Sequence, residues 1–353
     1  MYQALTLNNK NFSPNEIAWR SPSNIALVKY WGKYGRQLPS NPSVSFTLKN
    51  AHTDMKMKYK QGSGKVDLFF EGKKNEAFEK RIAKFIKSIE DIYPFLQELD
   101  LEIHSSNSFP HSAGIASSAS AMSALALCLC SLERAIFNTL KEEDEFLKKA
   151  SYIARLASGS AARSVYPKLA QWGAFNDFPE ATNEFAIDVH QQVNPIFHTF
   201  KNSILIASAQ EKSVSSSAGH QLMENNPFAP VRFEQANNNL SKLMSAMKDG
   251  DMDTFIEIVE QEALTLHALM MTSSPSYVLM RPATLQMIEK IRTFRAETSL
   301  SLCFTLDAGP NIHLLYPEKI SKQVQTFIKE NLQQHCENGL IIEDEVGDGA
   351  LKL

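Results

Sequence analysis

The stretch Phe109-Pro110-His111-Ser112-Ala113-Gly114-Ile115-Ala116-Ser117-Ser118-Ala119-Ser120 constrains this chain most, because small and hydroxyl residues run straight into an apolar helical pattern. Met122, Leu125, Ala126, Leu129, Leu132 and Ala135 recur at spacings of three and four, the period of a buried helix face. A helix over residues 116–137 therefore starts inside the serine run. Unpaired backbone N–H groups and the positive end of the dipole make such a start a site for an anion. Serine hydroxyls add donors, and Gly114 allows a close approach and a positive φ. The plainer alternative is that Ser117, Ser118 and Ser120 cap a helix that needs small residues for tight packing. The local pattern leaves both open.

An anion site needs cations nearby, and the composition supplies them only locally. The net charge of the 353 residues is −3, with 43% hydrophobic and 21% charged residues, which gives no reason to expect a nucleic-acid partner. The length suits two domains and a sizeable core. No apolar run approaches the roughly 20 residues that span a bilayer, and residues 1–10 lack the layout of a secretory signal, so no membrane association and a cytoplasmic location are expected. Four cysteines show neither a disulfide framework nor a zinc spacing and read as reduced thiols. Nine histidines form no HExxH pair, which argues against a protein-built transition-metal site but not against a metal carried in by a nucleotide. Gly62-Ser63-Gly64-Lys65 looks like part of a Walker A loop, but Tyr59 occupies the place of its first glycine. A hairpin turn between strands 55–59 and 66–70 is the better expectation.

Short strands are expected over residues 17–70, a helix from Asn75 ending near Pro94, a strand at 101–104 and a second helix at 144–157. That helix runs into another small-residue loop, Ser158-Gly159-Ser160-Ala161-Ala162-Arg163-Ser164. A strand at 203–207 leads into the serine-rich loop 213–219, and helical patterns dominate 233–269 and 284–294. Strand 301–306 delivers Asp307-Ala308-Gly309-Pro310-Asn311 at a turn, with 312–316 as its return partner. Helix 321–331 and strand 339–343 complete an α+β second half, with a boundary near residue 200: a first domain over 1–200 and a second over 201–353.

Taken in order, Asn24-Ile25-Ala26-Leu27-Val28-Lys29-Tyr30-Trp31-Gly32-Lys33, the 109–120 loop, Ser158–Ser164 and Asp307–Asn311 resemble the mevalonate diphosphate decarboxylases of the GHMP kinase superfamily. The segment Lys212-Ser213-Val214-Ser215-Ser216-Ser217-Ala218-Gly219 resembles the family's V-S-S loop more weakly. The resemblance spans most of the chain. Departures are Ala162, where several relatives carry cysteine, Pro167-Lys168 in place of a glycine pair, Asn41-Pro42-Ser43 in place of N-S-S, and residues 270–280, which bear on fine substrate choice.

The resemblance implies a GHMP kinase fold, with an N-terminal ribosomal-protein-S5-like α/β domain that binds ATP and a C-terminal ferredoxin-like domain. It also implies ATP-dependent decarboxylation of mevalonate diphosphate with ATP and magnesium, in a homodimer. Asp307 would activate or orient the substrate hydroxyl, with Arg163 and Lys33 as its catalytic companions. Tyr30, Lys33, Ser158, Gly159, Ser160, Arg163 and Ser216 would bind substrate. Asn24, Lys29, Ser112, Gly114, Ser117, Ser118, Ser120, Lys212 and Ser215 would serve the nucleotide, with Ser118 also at the metal. Without the resemblance, Asp307 reads first as an Asx turn and Arg163 as a surface ion pair. A phosphomevalonate decarboxylase, a small-molecule kinase and a silent scaffold on the same fold are the competing functions.

Overall fold

The computed structural model describes residues 4–7, 12–109, 117–210 and 214–353. In chain order the elements are β1 (Asn15–Val28), β2 (Lys33–Tyr34), β3 (Leu38–Pro39), β4 (Ser43–Gln61), β5 (Val66–Phe70), β6 (Lys73–Lys74), α1 (Glu76–Ser88) and β7 (Leu99–Asn107). Then come α2 (Ser117–Phe137), α3 (Glu143–Ala157), β8 (Leu169–Trp172), β9 (Ala186–Asp188), β10 (Phe200–Leu205), α4 (Ser216–Gln221), α5 (Ala229–Asp249) and α6 (Met252–Met271). The chain closes with α7 (Pro282–Thr298), β11 (Cys303–Thr305), β12 (Ile312–Pro317), α8 (Ser321–Phe327), β13 (Ile341–Glu345) and β14 (Leu351–Lys352). The architecture is α+β, with an eight-stranded first sheet, a four-stranded second sheet in the later half and a small two-stranded pair, β2–β3.

Two long strands, not the short ones expected, frame the first sheet. β1 and β4 run antiparallel from Asn15 opposite Tyr59 to Val28 opposite Val44, with irregular register between Pro22 and Asn24 and between Ala26 and Val28. After two exposed residues, β1 alternates buried and half-buried ones from Ile17 to Arg20, whereas Ser21 to Val28 are all buried. Packing against α2, the turn Gly159–Val165 and α6 accounts for that continuous burial.

The expected hairpin across residues 62–65 does not form. β7 lies between β4 and β5, pairing antiparallel with β4, and β5 runs parallel to β7. The connection is held to β7 instead: Gly62 N–H donates to the Glu98 carbonyl, and Ser63 and Lys65 donate to the Asp100 carboxylate.

α2 is long and apolar enough by composition to cross a bilayer, contrary to the expectation that no run comes close, but 72% of its most apolar window is buried inside the protein. It is a core helix, and Cys128 and Cys130 lie in it as free thiols, with Cys303 and Cys336 also free and buried. Burial raises the Cys130 thiol to about 12, consistent with inert, reduced cysteines.

The second sheet has the antiparallel order β11-β12-β10-β13. β11 and β12 are the strand and return partner expected around Asp307, and helix α8 passes into a π turn at Ile328–Leu332. The halves share a core, in which Phe46 of β4 meets Phe200 of β10 and Phe255 of α6 with ring centroids 5.6 and 6.4 Å apart. The boundary near residue 200 therefore divides the sequence but not the packing, and β14 crosses back to pair with β1.

Candidate active site

The end of β1, the turn Gly159–Val165, the first turn of α2, helix α4 and the β11–β12 turn meet around one cavity. Its walls include Asn24, Lys29, Tyr30, Lys33, Ser118, Ser158, Gly159, Ser160, Arg163 and Asp307. Ten residues named from sequence are thus brought together from segments up to 283 positions apart, counted from Asn24 to Asp307.

Asp307 leaves β11 at the mouth of a turn built to hold it. Gly309 N–H donates to the Asp307 carbonyl, His267 Nε2 lies 3.1 Å from the same oxygen, and the Thr284 hydroxyl donates to the Pro310 carbonyl. Asn311 accepts from Ser208 N–H, which ties the turn to the end of β10. The Asp307 carboxylate reaches Lys29 Nζ at 3.0 Å. Lys29 is buried, and that burial lowers its pKa while the Asp307 charge pulls it back up. Lys29, named from sequence for the nucleotide, lies in the cavity wall against Asp307.

Arg163 is buried, and its guanidinium is fully directed: Nε donates to Ser45 Oγ at 2.9 Å, Nη1 to Ser43 Oγ at 2.6 Å and Nη2 to Asn24 Oδ1 at 3.3 Å. Burial lowers its pKa to about 10, opposed by the Asp307 charge, so it is a cation at neutral pH. Asn24 also donates to the Ser160 carbonyl and Ser164 Oγ. Asn24, expected at the nucleotide, lines the cavity and braces Arg163. Ser43 and Ser45 were missed, although their i, i+2 spacing in β4 puts both hydroxyls on one face of the strand.

Tyr30 packs on Trp172 and His220, with ring centroids 4.8 and 4.3 Å away. A Cβ on Gly159 would stand 2.7 Å from the Tyr30 hydroxyl, so glycine is what lets the two approach. Lys33 donates to Gln37 Oε1 at 2.8 Å, and burial lowers its pKa. Three further cavity residues carried no clear signal in sequence: Gln37, Arg81 of α1 and His220 of α4. His220 Nδ1 accepts from Gly32 N–H at 3.0 Å, and burial, with Lys33 nearby, lowers its pKa to about 3. Its ring is therefore neutral, with the proton on Nε2.

The phosphate-loop expectations divide. Ser118 lines the cavity from the first turn of α2. Ser117 starts that helix but is not a cavity wall. Ser120 is fully buried, with its hydroxyl 2.7 Å from Thr53 Oγ1 and donating to the Ser117 carbonyl, which is a packing position inside the fold. Ser215 caps α4 by accepting from Ala218 N–H. The side chain of Ser216, and Ser112, Gly114 and Lys212 entirely, lie outside the described residues.

Two family profiles match the chain in succession: the diphosphomevalonate decarboxylase-like N-terminal domain over residues 21–183 and the mevalonate 5-diphosphate decarboxylase C-terminal domain over residues 203–346. The chain belongs to the mevalonate diphosphate decarboxylase family. The diphosphomevalonate decarboxylase of Candida albicans is 27% identical over 325 residues, covering 87% of this chain and 86% of the relative. The solved mevalonate diphosphate decarboxylase of Staphylococcus aureus superposes with a TM-score of 0.82 at 26% identity, covering 97% of this chain and 98% of the other. MDDEF, solved in complex with MVAPP, AMPPCP and magnesium, superposes with a TM-score of 0.82 at 27% identity over 97% of this chain and 99% of its own. The fold is that of these GHMP-kinase-type decarboxylases.

Proposed function

We propose that this chain converts mevalonate 5-diphosphate and ATP to isopentenyl diphosphate, ADP, phosphate and carbon dioxide, a step of isoprenoid biosynthesis. The observation that carries the reading is the charge arrangement of the cavity. Among the described residues, Lys29, Lys33, Arg81 and Arg163 share its walls with a single carboxylate, Asp307, which lies against the Lys29 ammonium. A substrate bearing a carboxylate and a diphosphate suits those cations, and a hydroxyl suits the carboxylate. The ligands of the related MDDEF complex support the same substrate pair.

A tertiary hydroxyl is a poor leaving group, and phosphorylation by ATP makes it a good one. Asp307 orients that hydroxyl and takes its proton as the phosphoryl group arrives, with Lys29 Nζ held 3.0 Å from the carboxylate. The C–O bond then breaks with its electrons leaving on phosphate. The electrons of the bond to the carboxylate carbon close the new double bond as carbon dioxide departs. Arg163, fixed by Ser43, Ser45 and Asn24, presents its charge without reorganisation, the arrangement that stabilises a developing charge most effectively.

Magnesium fits as a companion of the nucleotide. Among the described residues no three His, Cys, Asp or Glu side chains group to hold an ion, and this hard cation is ordinarily bound through phosphate oxygens, water and one or two protein ligands. Among the described residues, Ser118 and Asp307 line the cavity with oxygens that could meet it, and the ion would neutralise phosphate charge. We propose further that the enzyme is a homodimer, as the resemblance implies, and that it acts in the cytoplasm.

Purified protein with magnesium, ATP and mevalonate diphosphate should release carbon dioxide and phosphate in step with ADP, with mevalonate monophosphate and mevalonate run in parallel to fix substrate choice. ADP without carbon dioxide would overturn the reading. Asp307→Asn should lose turnover by about a thousandfold or more while retaining ATP affinity in a calorimetric titration.

A further inference from the structure

β1 leaves its ladder at Val28, which is the last of its residues to pair with β4. The peptide groups of the next residue, Lys29, are nevertheless both engaged, and by side chains. Its N–H donates to Glu262 Oε2 at 2.8 Å, and its carbonyl accepts from Arg232 Nη2 at 3.2 Å and Asn41 Nδ2 at 3.0 Å. Arg232 of α5 and Glu262 of α6 form a two-pronged ion pair with each other, at 2.8 and 2.5 Å, with side chains 1% and 0% exposed. Asn239 of α5 donates to Glu262 Oε1 at 2.7 Å. These helices thus offer Lys29 the acceptor and donor that a neighbouring strand would, and at its far end the same residue meets Asp307.

A charged pair taken wholly out of water is costly, and apolar residues of similar volume commonly serve stability as well or better. Its persistence here, with its atoms turned to one peptide, calls for a reason beyond stability. Lys29 joins a fixed backbone to a long side chain, and a misplacement of about 1 Å at a catalytic group can cost roughly a hundredfold in rate. We propose that Arg232 and Glu262 are positioning residues that clamp the Lys29 peptide so that its ammonium stays against the Asp307 carboxylate. What Lys29 and Asp307 then accomplish rests on the decarboxylase reading; the clamp itself does not.

The test uses the full-length protein in two variants, because removing one member alone strands a buried charge. Arg232→Lys keeps the charge and loses the fork, and the joint replacement Arg232→Met with Glu262→Leu removes the pair. Both should lower kcat, about fivefold for the first and fiftyfold for the second, with KM for ATP and mevalonate diphosphate within about threefold of wild type. In a Lys29→Met background the joint replacement should cost less than about threefold more, because the group it positions is gone. Wild-type kcat in both variants, or an undiminished loss in the Lys29→Met background, would overturn the clamp. Acetylation of Lys29 by acetic anhydride, followed by peptide mass analysis, reads the clamp without turnover. Labelling should accelerate in Arg232→Lys, and an unchanged rate there would also overturn it. Wild-type protein that releases no carbon dioxide would count against the functional reading, while the labelling comparison still decides the clamp.

Discussion

Two buried histidines, His220 of α4 and His313 of β12, give the protein an acid limit. Burial lowers the His220 pKa to about 3 and that of His313 to about 4, and the two rings are 8% and 2% exposed. His313 is held through Nδ1 by the Asn202 side chain, as His220 is by Gly32. An unfolded histidine takes up its proton near pH 6.5, so between that pH and about 4 the unfolded chain binds more protons than the folded one. Stability therefore falls as the pH is lowered through this window, by up to about 1.4 kcal/mol per pH unit for each ring. Urea unfolding at pH 6.5, 5.5 and 4.5 should show this, and His313→Asn should lose about 1.4 kcal/mol per pH unit less than wild type. Equal slopes would mean that His313 is not held neutral. At this scale Asp307, Arg163 and Lys33 were legible through their motifs. Arg81, Arg232 and Glu262 were not, because a charged residue on a helix looks the same in sequence whether it faces water or the interior.

At the scale of elements, local chemistry was legible and distant pairing was not. The serine run and its apolar period marked α2 almost to the residue, and Asp307-Ala308-Gly309-Pro310-Asn311 marked the β11–β12 turn. The hairpin across residues 62–65 failed because β5 pairs in parallel with a strand some 35 positions later, Val66 with Leu101, and no turn signal encodes that partner. The turn Gly159–Val165 shows how closely an element can be fitted to the cavity. Gly159→Ala would drive a methyl group into the Tyr30 hydroxyl and, at 2.8 Å, into the Trp172 ring. We expect a loss of about 1–3 kcal/mol in stability and a rise in KM for the phosphorylated substrate, measured by denaturation and steady-state kinetics. A variant equal to wild type in both would show that Tyr30 can move aside freely.

For the whole molecule, the shared core predicts that the halves do not unfold separately. Ile25, Val28 and Phe46 of the first sheet belong to one apolar cluster with Phe197, Phe200, Leu243 and Phe255. The Asp344 carboxylate of β13 accepts from the backbone N–H groups of Lys49, Asn50 and Ala51 in β4. Calorimetry should give a single transition, and a fragment of residues 1–200 should fail to fold, since it would expose that face of β1 and β4. Two resolved transitions would contradict this. The sequence suggested a boundary near residue 200 from its strand and helix patterns, whereas the shared core depends on contacts that no local pattern records.

The Lys29–Asp307 contact also has a history in time. Its partners are 278 positions apart, and at about 5–20 residues per second a ribosome takes roughly a quarter of a minute to a minute to make the chain between them. Throughout that interval the nascent chain carries the ammonium without the acid that will answer it, and Glu262, which will hold its peptide, is made little sooner. The reaction centre is thus among the last parts of the protein that can come into being, and a chain halted before residue 307 has the cation but never the pair.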